Sequence, residues 1–506
     1  MKILLVRPYY YIDKEDCPYI FREPLGLEYL KSYAGDEADI EIFDMLGIYW
    51  NIYKEIEGNS NLMKIGGDIK DLFSKIEQGK PDVIGITSMF LTEKELLLNL
   101  TKAIKTNYPQ IKIIVGGPHP SCLGKELLNI NPYIDILVIG EGEETLKELI
   151  RKKFENLPGI QGIIFKDKRS GKIIETDGRC PVDINSIPFP ARDAVPYKNY
   201  NKTVKYSALR TRLGQKTALS LMNLISNTPI DDLMDKLVNP LMKKFGHTPN
   251  SFPSAAILTS RSCPNRCTFC AIRRVWSDIY RMRSAEDVIN EIKLLVEKYH
   301  IRHLAIQDDN FTVSKDRTIK ICKAIIESKF NITMEASSGI YIPSLDEEVL
   351  TWLKKAGLNF MYLGVESGSQ NTLTNIIKKR LDLKKVDEVI DIARAIGIKT
   401  GGYFIIGFPG ETLSDMKATI DYALNSKLDM TRLYLLQPFP GSEMYETCVK
   451  NGYLTSDYDY AETKIFKEKF YIKTPDFKPE QVEALVREGR QALFKAGKLS
   501  SGFFNK

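Results

Sequence analysis

The stretch Arg261–Cys270, RSCPNRCTFC, decides how the rest of the chain is interpreted. It carries Cys263, Cys267 and Cys270 in a Cys-x3-Cys-x2-Cys spacing, directly after a predicted strand. Three thiolates cannot close a tetrahedral zinc site without a fourth ligand, and the sequence places no histidine near them. Thiolates also suit iron–sulfur clusters, and three ligands to a four-iron cluster leave one iron open. The spacing therefore predicts a cluster that binds a substrate rather than one that only transfers electrons.

Around this loop, from residue 254 to residue 440, short apolar runs alternate with helix-like stretches such as Ala285–Lys298 and Ile319–Ser328. This alternation predicts parallel strands joined by helices, and six repeats predict an incomplete (β/α)6 barrel. In such barrels the chemistry lies at the carboxyl ends of the strands. The predicted barrel strands are Ala255–Thr259, His303–Gln307, Ile332–Ala336, Phe360–Val365, Tyr403–Ile406 and Leu433–Gln437.

Residues 1–155 show a second alternation, with amphipathic stretches at Leu25–Tyr33, Ile69–Gln78 and Glu93–Thr106. Continuous apolar strands between such helices predict a doubly wound parallel sheet of the Rossmann-like type, so the fold class of the whole chain is α/β. The predicted strands of this first domain are Lys2–Val6, Asp39–Phe43, Asp82–Thr87, Lys112–Val115 and Asp135–Ile139.

Three of these strands end in turns that carry serine or glycine. In open α/β sheets ligands bind beyond the carboxyl ends of the strands, and glycine lets the backbone approach a phosphate or a sugar closely. Such turns also serve plain packing, so by themselves they leave a binding role and a structural role equally open. The turns are Thr87-Ser88, Gly116-Gly117-Pro118-His119 and Gly140-Glu141-Gly142-Glu143.

The remaining segments connect or flank the two domains. Gly162–Gly178 predicts a β-hairpin, and the four prolines of Ile184–Tyr197 predict an ordered linker. Two amphipathic stretches, Lys216–Ile225 and Ile230–Lys244, predict a helical insertion that is either an accessory element or a lid, and Pro479–Ala496 predicts a C-terminal helix. We therefore expect five regions, namely 1–155, 156–199 (hairpin and linker), 200–252 (insertion), 253–440 (barrel) and 441–506 (a C-terminal helical region).

Composition excludes several classes of protein. Among 506 residues, 71 Lys and Arg against 65 Asp and Glu leave a net charge of +6, which is too small and too dispersed to indicate a nucleic-acid-binding surface. No apolar run approaches the length of a transmembrane helix, and the N-terminal MKILLVRPYY resembles a first strand more than a signal peptide. The eight cysteines are accordingly expected as thiols or metal ligands in the cytosol.

The cysteine loop resembles the cluster motif of the radical S-adenosylmethionine (SAM) enzymes, and Phe269 matches the aromatic residue that usually precedes the last cysteine. The resemblance implies a [4Fe–4S] cluster whose open iron binds SAM. It also implies that the end of the second barrel strand holds the methionine amino group, although Gln307-Asp308-Asp309 stands there instead of the usual Gly-Gly-Glu. Asp308 and Asp309 are the candidates for that contact.

Two further segments agree with this family. Glu366, in LGVESGS, resembles the residue that contacts the ribose of SAM, and its carboxylate could accept hydrogen bonds from sugar hydroxyls. The segment Gly401–Thr412, GGYFIIGFPGET, which includes Gly407, resembles the fifth-strand segment that lines the adenine. A helix cap or a surface charge is the plain structural alternative for each of the carboxylates.

The doubly wound domain ahead of the barrel resembles the cobalamin-binding subclass of the same superfamily. The resemblance implies that Thr87, Ser88, Gly116, Gly117, His119 and the Gly140-Glu141-Gly142 turn lie along the cobalamin tail. The loop after the first strand contains no histidine, so a histidine ligand to cobalt from that loop is excluded and a base-off cobalamin is expected. Met89 or Phe90 would then face the lower side of the corrin.

The family reading predicts an enzyme that methylates an unactivated carbon through methylcobalamin and a 5′-deoxyadenosyl radical. The alternatives are a cyclase or rearrangement enzyme that uses the same cofactors without net methylation, a less fitting methylthiotransferase, and a cobalamin sensor without catalysis. We expect a one-electron donor such as flavodoxin or ferredoxin. The substrate is expected to be a small or lipid-like molecule that lies between the two domains, and the apolar face of the insertion mildly favours a lipid. That face comprises Leu219, Leu221, Met222, Leu224 and Ile225.

Overall fold

The computed structural model describes residues 1–56, 59–226, 228, 253–462 and 469–499. The chain divides into two compact units. The first comprises Met1–Val182 and Ser186–Ala256, and the second comprises Asp183–Asn185 and Ile257–Lys506. The insertion thus belongs to the first unit, and the finer division into five regions stays a prediction.

The main sheet of the first unit is doubly wound, as predicted. Its strand order, β10-β9-β8-β7-β6-β1-β3, places β1 between β3 and β6, which is the point where a doubly wound sheet changes direction. The neighbours from β3 to β8 are parallel, and β9 and β10 form the predicted hairpin on β8. The strands of this unit are β1 (Lys2–Arg7), β2 (Tyr10–Asp13), β3 (Asp39–Asp44), β4 (Tyr53–Ile56), β5 (Asn59–Ile65), β6 (Val83–Thr87), β7 (Lys112–Gly116), β8 (Ile136–Val138), β9 (Ile163–Lys166) and β10 (Ile173–Glu175).

Burial explains why these sequences form strands. Ile3, Leu4, Leu5 and Val6 of β1 are all at most 3% exposed, because helices cover both faces of the parallel sheet. A second, three-stranded antiparallel sheet with the order β2-β5-β4 was not predicted. Its strands are short and partly polar, so they show little hydrophobic periodicity. Their pairing also depends on partners that are distant in sequence.

The helices of the first unit cover the sheet and include an element that the sequence did not reveal. The helix Tyr197–Leu213 begins where a linker was predicted. It packs through buried residues such as Tyr200 and Tyr206, which lie between lysines in the sequence. The predicted helix Ile230–Lys244 lies outside the described residues. The helices are Leu25–Ala34, Met45–Ile48, Ile69–Gly79, Lys94–Asn107, Pro118–Leu123, Lys125–Ile130, Glu143–Arg151, Tyr197–Leu213 and Gln215–Ile225.

The second unit contains the predicted open barrel. Its six-stranded sheet has the order β11-β14-β15-β16-β17-β18, and the pairs from β14 to β18 are parallel. A short antiparallel pair, β12 with β13, flanks the cysteine loop. The strands are β11 (Ser254–Ile257, of which only Ile257 falls in the second unit), β12 (Ser260–Arg261), β13 (Arg281–Met282), β14 (His303–Ile306), β15 (Thr333–Ala336), β16 (Leu358–Glu366), β17 (Lys399–Ile406) and β18 (Met430–Leu435).

One face of this sheet packs against helices and the other remains partly accessible. On β16, Met361, Leu363 and Val365 are fully buried, whereas the alternate residues Phe360, Gly364 and Glu366 are half-buried. The helices are Ile272–Trp276, Ala285–Glu297, Lys315–Glu327, Glu347–Lys355, Leu383–Ala395, Leu413–Asn425, Glu443–Lys450 and Pro479–Lys495. Within the described ranges, no helix has both the length and the apolar character that a membrane span requires.

Candidate cofactor sites

In the first unit, the predicted turns meet at the carboxyl edge of the sheet. The amide of Ser88, just after β6, donates to the carbonyl of Gly116 at the end of β7 at 2.9 Å. Gly117 has φ +109°, and a Cβ there would lie 2.6 Å from the Ser88 carbonyl oxygen, so the two loops approach as closely as glycine allows. At the next strand, the amide of Gly140 donates to Ser121 Oγ at 3.0 Å.

A buried polar network lies beneath these turns. Ser88 Oγ donates to Glu93 Oε2 at 3.0 Å and lies 2.8 Å from His119 Nδ1. Burial raises the pKa of Glu93 to about 7 and lowers the pKa of His119 to about 4, so the imidazole is neutral at physiological pH. His119 Nε2 and Glu93 Oε1 have no hydrogen-bond partner among the described residues. The sequence did not reveal Glu93, which precedes the helix Lys94–Asn107.

Accessibility separates the predicted cobalamin contacts into two groups. His119 is fully buried and Ser88 is 1% exposed, so these two side chains support the loops and are not placed to touch a ligand. Met89 and Phe90 are 44% and 53% exposed, which is unusual for large apolar side chains at a sheet edge. An apolar platform beside glycine turns fits a corrin ring with its polar tail. The half-buried members of the predicted set are Thr87, Gly116, Gly117, Gly140, Glu141 and Gly142.

In the second unit, the cysteine loop follows β12 and is held from several directions. The amide of Thr268 donates to the carbonyl of Ile377 at 3.0 Å, and the Thr268 carbonyl accepts from the amide of Met444 at 2.8 Å. Phe269 packs on Phe408, with ring centroids 5.8 Å apart. Since Phe408 follows Gly407, this contact brings together two segments that the sequence had assigned to the same site.

None of the three cysteines forms a disulfide, and the charges of Asp309, Glu366 and Lys379 act on their thiols. Burial raises the pKa of Cys267 to about 12, while the nearby charge of Lys379 acts in the opposite direction. Among the residues that the structure describes, no three His, Cys, Asp or Glu side chains converge as ligands of a single metal ion. Thiolates that each bind a different iron of a cluster need not converge, so the donor set fits an iron–sulfur cluster.

The two predicted aspartates have different surroundings. Asp308 is fully buried, and its carboxylate accepts from the amide and the hydroxyl of Thr259, each at 2.6 Å, and from Ser260 Oγ at 2.5 Å. It therefore anchors the end of the first barrel strand and is not accessible to a cofactor. Asp309 is half-buried, and burial together with the charge of Asp308 raises its pKa to about 7. Its charge acts on the thiols of Cys263 and Cys270.

Glu366 ends β16 with φ +70° and pairs with a lysine that the sequence analysis missed. Lys379 Nζ lies 2.8 Å from Glu366 Oε1 and 2.5 Å from the carbonyl oxygen of Gly364. Burial by itself would lower the pKa of Lys379, but Glu366 and Cys267 raise it above its usual value. The structure thus gathers a carboxylate, an ammonium and the cluster thiols. The lysine lies thirteen residues beyond Glu366, in a polar run with no distinguishing pattern.

The interior face of the second sheet carries aromatic and polar side chains. Tyr362 stacks on Tyr403, with ring centroids 4.3 Å apart and an interplanar angle of 14°. Arg432 Nε donates to Tyr362 Oη at 3.2 Å, and Tyr403 Oη donates to the carbonyl of Ser337 at 2.9 Å. This wall offers hydrogen-bonding groups as well as ring faces.

Two family models match separate parts of the chain. Residues 21–150 match the B12 binding domain and residues 257–423 match the Radical SAM superfamily. The radical SAM methyltransferase TsrM from Kitasatospora setae, solved with tryptophan and a SAM analogue, has the same fold. It is 16% identical, has a TM-score of 0.65 and covers 97% of this chain and 83% of its own.

Two curated relatives, a methyltransferase and a cyclase, correspond to the two candidate reactions, methylation and cyclisation. Cytidylyl-2-hydroxyethylphosphonate methyltransferase of Streptomyces wedmorensis is 26% identical and covers 90% of this chain and 82% of its own length. Anaerobic magnesium-protoporphyrin IX monomethyl ester cyclase of Rubrivivax gelatinosus is 24% identical over 81% of this chain and 64% of its own length. Methylation is therefore better supported than cyclisation, and the prediction of a radical SAM enzyme is confirmed. The chain belongs to the radical SAM enzymes that carry a cobalamin-binding domain.

Proposed function

We propose that this chain transfers a methyl group to an unactivated carbon of a small molecule, using a [4Fe–4S] cluster, SAM and cobalamin. When bound, these groups supply a 5′-deoxyadenosyl radical and a transferable methyl group. The observation that carries the proposal is the ion pair of Glu366 and Lys379, whose charges act on Cys267, together with the position of Asp309 next to Asn310, which contacts Cys263 Sγ. An electron donor such as flavodoxin or ferredoxin, in the cytosol, would supply the reducing equivalents.

The side chains near the cysteine loop have proposed roles that follow from their chemistry. The thiolates of Cys263, Cys267 and Cys270 would bind three irons. The ammonium of Lys379 would attract the carboxylate of SAM, and the carboxyl of Asp309 would accept from its amino group. Glu366, held in place by Lys379, would accept from ribose hydroxyls, and Phe269 with the Gly407 segment would flank the adenine.

In the first unit, the proposed cobalamin is base-off. The loop after β1 contains no histidine, and His119 is fully buried, so neither offers an accessible imidazole to cobalt. Met89 and Phe90 would face the corrin, and the glycine turns would follow the nucleotide tail. The buried network of Ser88, Glu93 and His119 would keep those turns in position.

The substrate is proposed to carry polar groups. Two residues of the apolar helix face that favoured a lipid, Met222 and Ile225, are 0% and 7% exposed in the core of the first unit. They are therefore occupied by packing. Tyr403 and Arg432 of the second sheet are only half-buried, and their polar groups suit a substrate that forms hydrogen bonds.

Anaerobic reconstitution with iron, sulfide and hydroxocobalamin tests this proposal. We expect four irons and one cobalamin per chain, and, after reduction with SAM, the absorbance of methylcobalamin together with 5′-deoxyadenosine. A chain that forms 5′-deoxyadenosine but never methylcobalamin would be the alternative, a cyclase or rearrangement enzyme. Serine at Cys263, Cys267 and Cys270 should abolish iron binding and leave cobalamin bound, whereas Cys180→Ser, at an exposed position of the first unit, should change neither.

A further inference from the structure

The side chain of Asn310 makes a direct contact with a cluster cysteine. Its amide nitrogen Nδ2 lies 2.8 Å from Cys263 Sγ, and the residue is only 8% exposed. The backbone amide of Asn265 adds a second, longer contact to the same sulfur at 3.4 Å. Cys263 Sγ therefore accepts from the side-chain amide of Asn310 and from the backbone and side chain of Asn265, with little competition from water.

The backbone holds Asn310 in this place. Its carbonyl oxygen accepts from Tyr280 Oη at 2.8 Å. Two residues earlier, Asp308 is bound to Thr259 and Ser260, which lie just before the cysteine loop. The segment that carries Asn310 is therefore bound directly to the segment that carries Cys263.

A close backbone approach restrains the same segment from the other side. A Cβ at Gly339 would lie 1.8 Å from the carbonyl oxygen of Asp309, so the two backbones are in direct contact. The amide of Phe311 also donates to the carbonyl of Gly339 at 3.3 Å. With both sides fixed, the amide of Asn310 is oriented towards the sulfur before any cluster binds.

We propose that Asn310 is a positioning residue that raises the reduction potential of the cluster through its hydrogen bond to Cys263 Sγ. The inference rests on the proposed function only for the presence of a [4Fe–4S] cluster on this loop. One-electron reduction increases the negative charge shared by the cluster and its thiolates, and an N–H donor to sulfur stabilises the more negative form. Because the amide is neutral, its contribution does not depend on pH.

An EPR-monitored titration with dithionite tests the inference on the full reconstituted chain, without SAM or cobalamin. Asn310→Leu keeps a similar side-chain volume and removes the donor. At the potential that half-reduces the unmodified protein, we expect its ratio of reduced to oxidised cluster to fall about fivefold, the equivalent of one hydrogen bond. Asn310→Gln should recover part of the loss. Asn451→Leu, an exposed asparagine of the same unit, should not change the ratio.

A second measurement starts from the unmodified protein. In unmodified protein with 15N-labelled asparagine side chains, pulsed EPR of the reduced cluster should detect a nitrogen coupling that Asn310→Gln alters and Asn451→Leu retains. A four-iron Asn310→Leu protein with unchanged potential, or unmodified protein without the coupling, would overturn the inference and leave the proposed function intact. Failure of the unmodified chain to bind four irons would overturn both.

Discussion

Glu366 and Lys379 form an ion pair in which Oε1 lies 2.8 Å from Nζ and each side chain is only 12% exposed. The pair lies against Gly364, where a Cβ would come within 2.7 Å of Glu366 Oε1 and 3.0 Å of Lys379 Nζ. Because Gly364 has no side chain, the strand leaves room for both charged groups. The pair therefore places two opposite charges beside the cysteine loop in one fixed geometry.

Removing one partner of this pair should cost more than removing both. Lys379→Met leaves the Glu366 carboxylate without its counter-charge, and we expect a loss of about 3 kcal/mol in the stability of the barrel unit. The double variant Glu366→Gln/Lys379→Met should recover part of that loss. Calorimetric unfolding measures the effect. The exposed Lys315, paired with Asp346, provides a matched control, for which Lys315→Met should cost less than about 1 kcal/mol. Equal losses in the two lysine variants would contradict the prediction.

The architecture was predictable because parallel strands buried on both faces leave long apolar runs, as in β1. The cysteine loop was predictable because its ligands are close in sequence. Lys379 and Asn310 were not, because each reaches the site through tertiary contacts and neither lies in a motif. The sheet of β2, β4 and β5 escaped prediction for the same reason, since its pairing joins Tyr10 to Ile65.

Asp308 and Asp309 are adjacent in sequence, but we expect their substitutions to have opposite consequences. Asp308→Ala leaves the amide and hydroxyl of Thr259 without an acceptor and breaks the hydrogen bond from Ser260 Oγ, and should cost about 3 kcal/mol and lower the iron content. Asp309→Ala removes a half-buried carboxyl whose Oδ2 has no hydrogen-bond partner in the described chain and whose one side-chain partner is Trp276, so the stability loss should be smaller than that of Asp308→Ala. SAM binding to the reconstituted protein should weaken instead. Thermal unfolding, iron analysis and SAM binding distinguish the two variants. Iron loss in Asp309→Ala but not in Asp308→Ala would contradict the structural role of Asp308 and the SAM-binding role of Asp309.

The neighbouring glycines of the β7 turn also differ in their tolerance of substitution. Gly117→Ala would place a Cβ 2.6 Å from the Ser88 carbonyl at a positive φ, so we expect a loss of about 1–3 kcal/mol and weaker retention of cobalamin. Gly116→Ala meets nothing closer than Val138 Cβ at 3.7 Å and should retain cobalamin. Gel filtration after reconstitution, with cobalt analysis, measures retention. Equal retention by both variants would show that the close approach of the two loops is unimportant for binding.

Glu28 should make the first unit less stable as pH rises. Its carboxyl is fully buried, burial raises its pKa from 4.5 to about 8, and the nearest cation, Arg192 Nη1, is 4.0 Å from Oε2. The remaining charged groups around it are Glu23, Arg7 and Asp44. A carboxyl that holds its proton more tightly in the folded state contributes stability that is lost as pH rises from about 4.5 to about 8.

Glu28→Gln should remove this dependence. At pH 8, we expect the variant to unfold at a higher temperature than the unmodified chain, by roughly 2–4 °C for each ~1 kcal/mol of unfolding free energy regained. At pH 6, we expect this difference in unfolding temperature to be smaller. Calorimetry at the two pH values measures the effect. The exposed Glu95→Gln should show no such difference between the two pH values. A gain in unfolding temperature that is larger at pH 6 than at pH 8 would contradict the raised pKa of Glu28 in the folded state.

The hairpin of β9 and β10 has a practical consequence for dividing this chain. β8 has only three residues, Ile136–Val138, and its outer side pairs with β9 from Ile163 to Phe165. A fragment ending near residue 155, where the sequence suggested that the first domain stops, would leave the backbone N–H and C=O groups of a buried apolar strand unpaired. Such an open edge invites edge-to-edge association between copies. An isolated cobalamin-binding fragment should therefore extend at least to Gly178 if it is to stay monomeric.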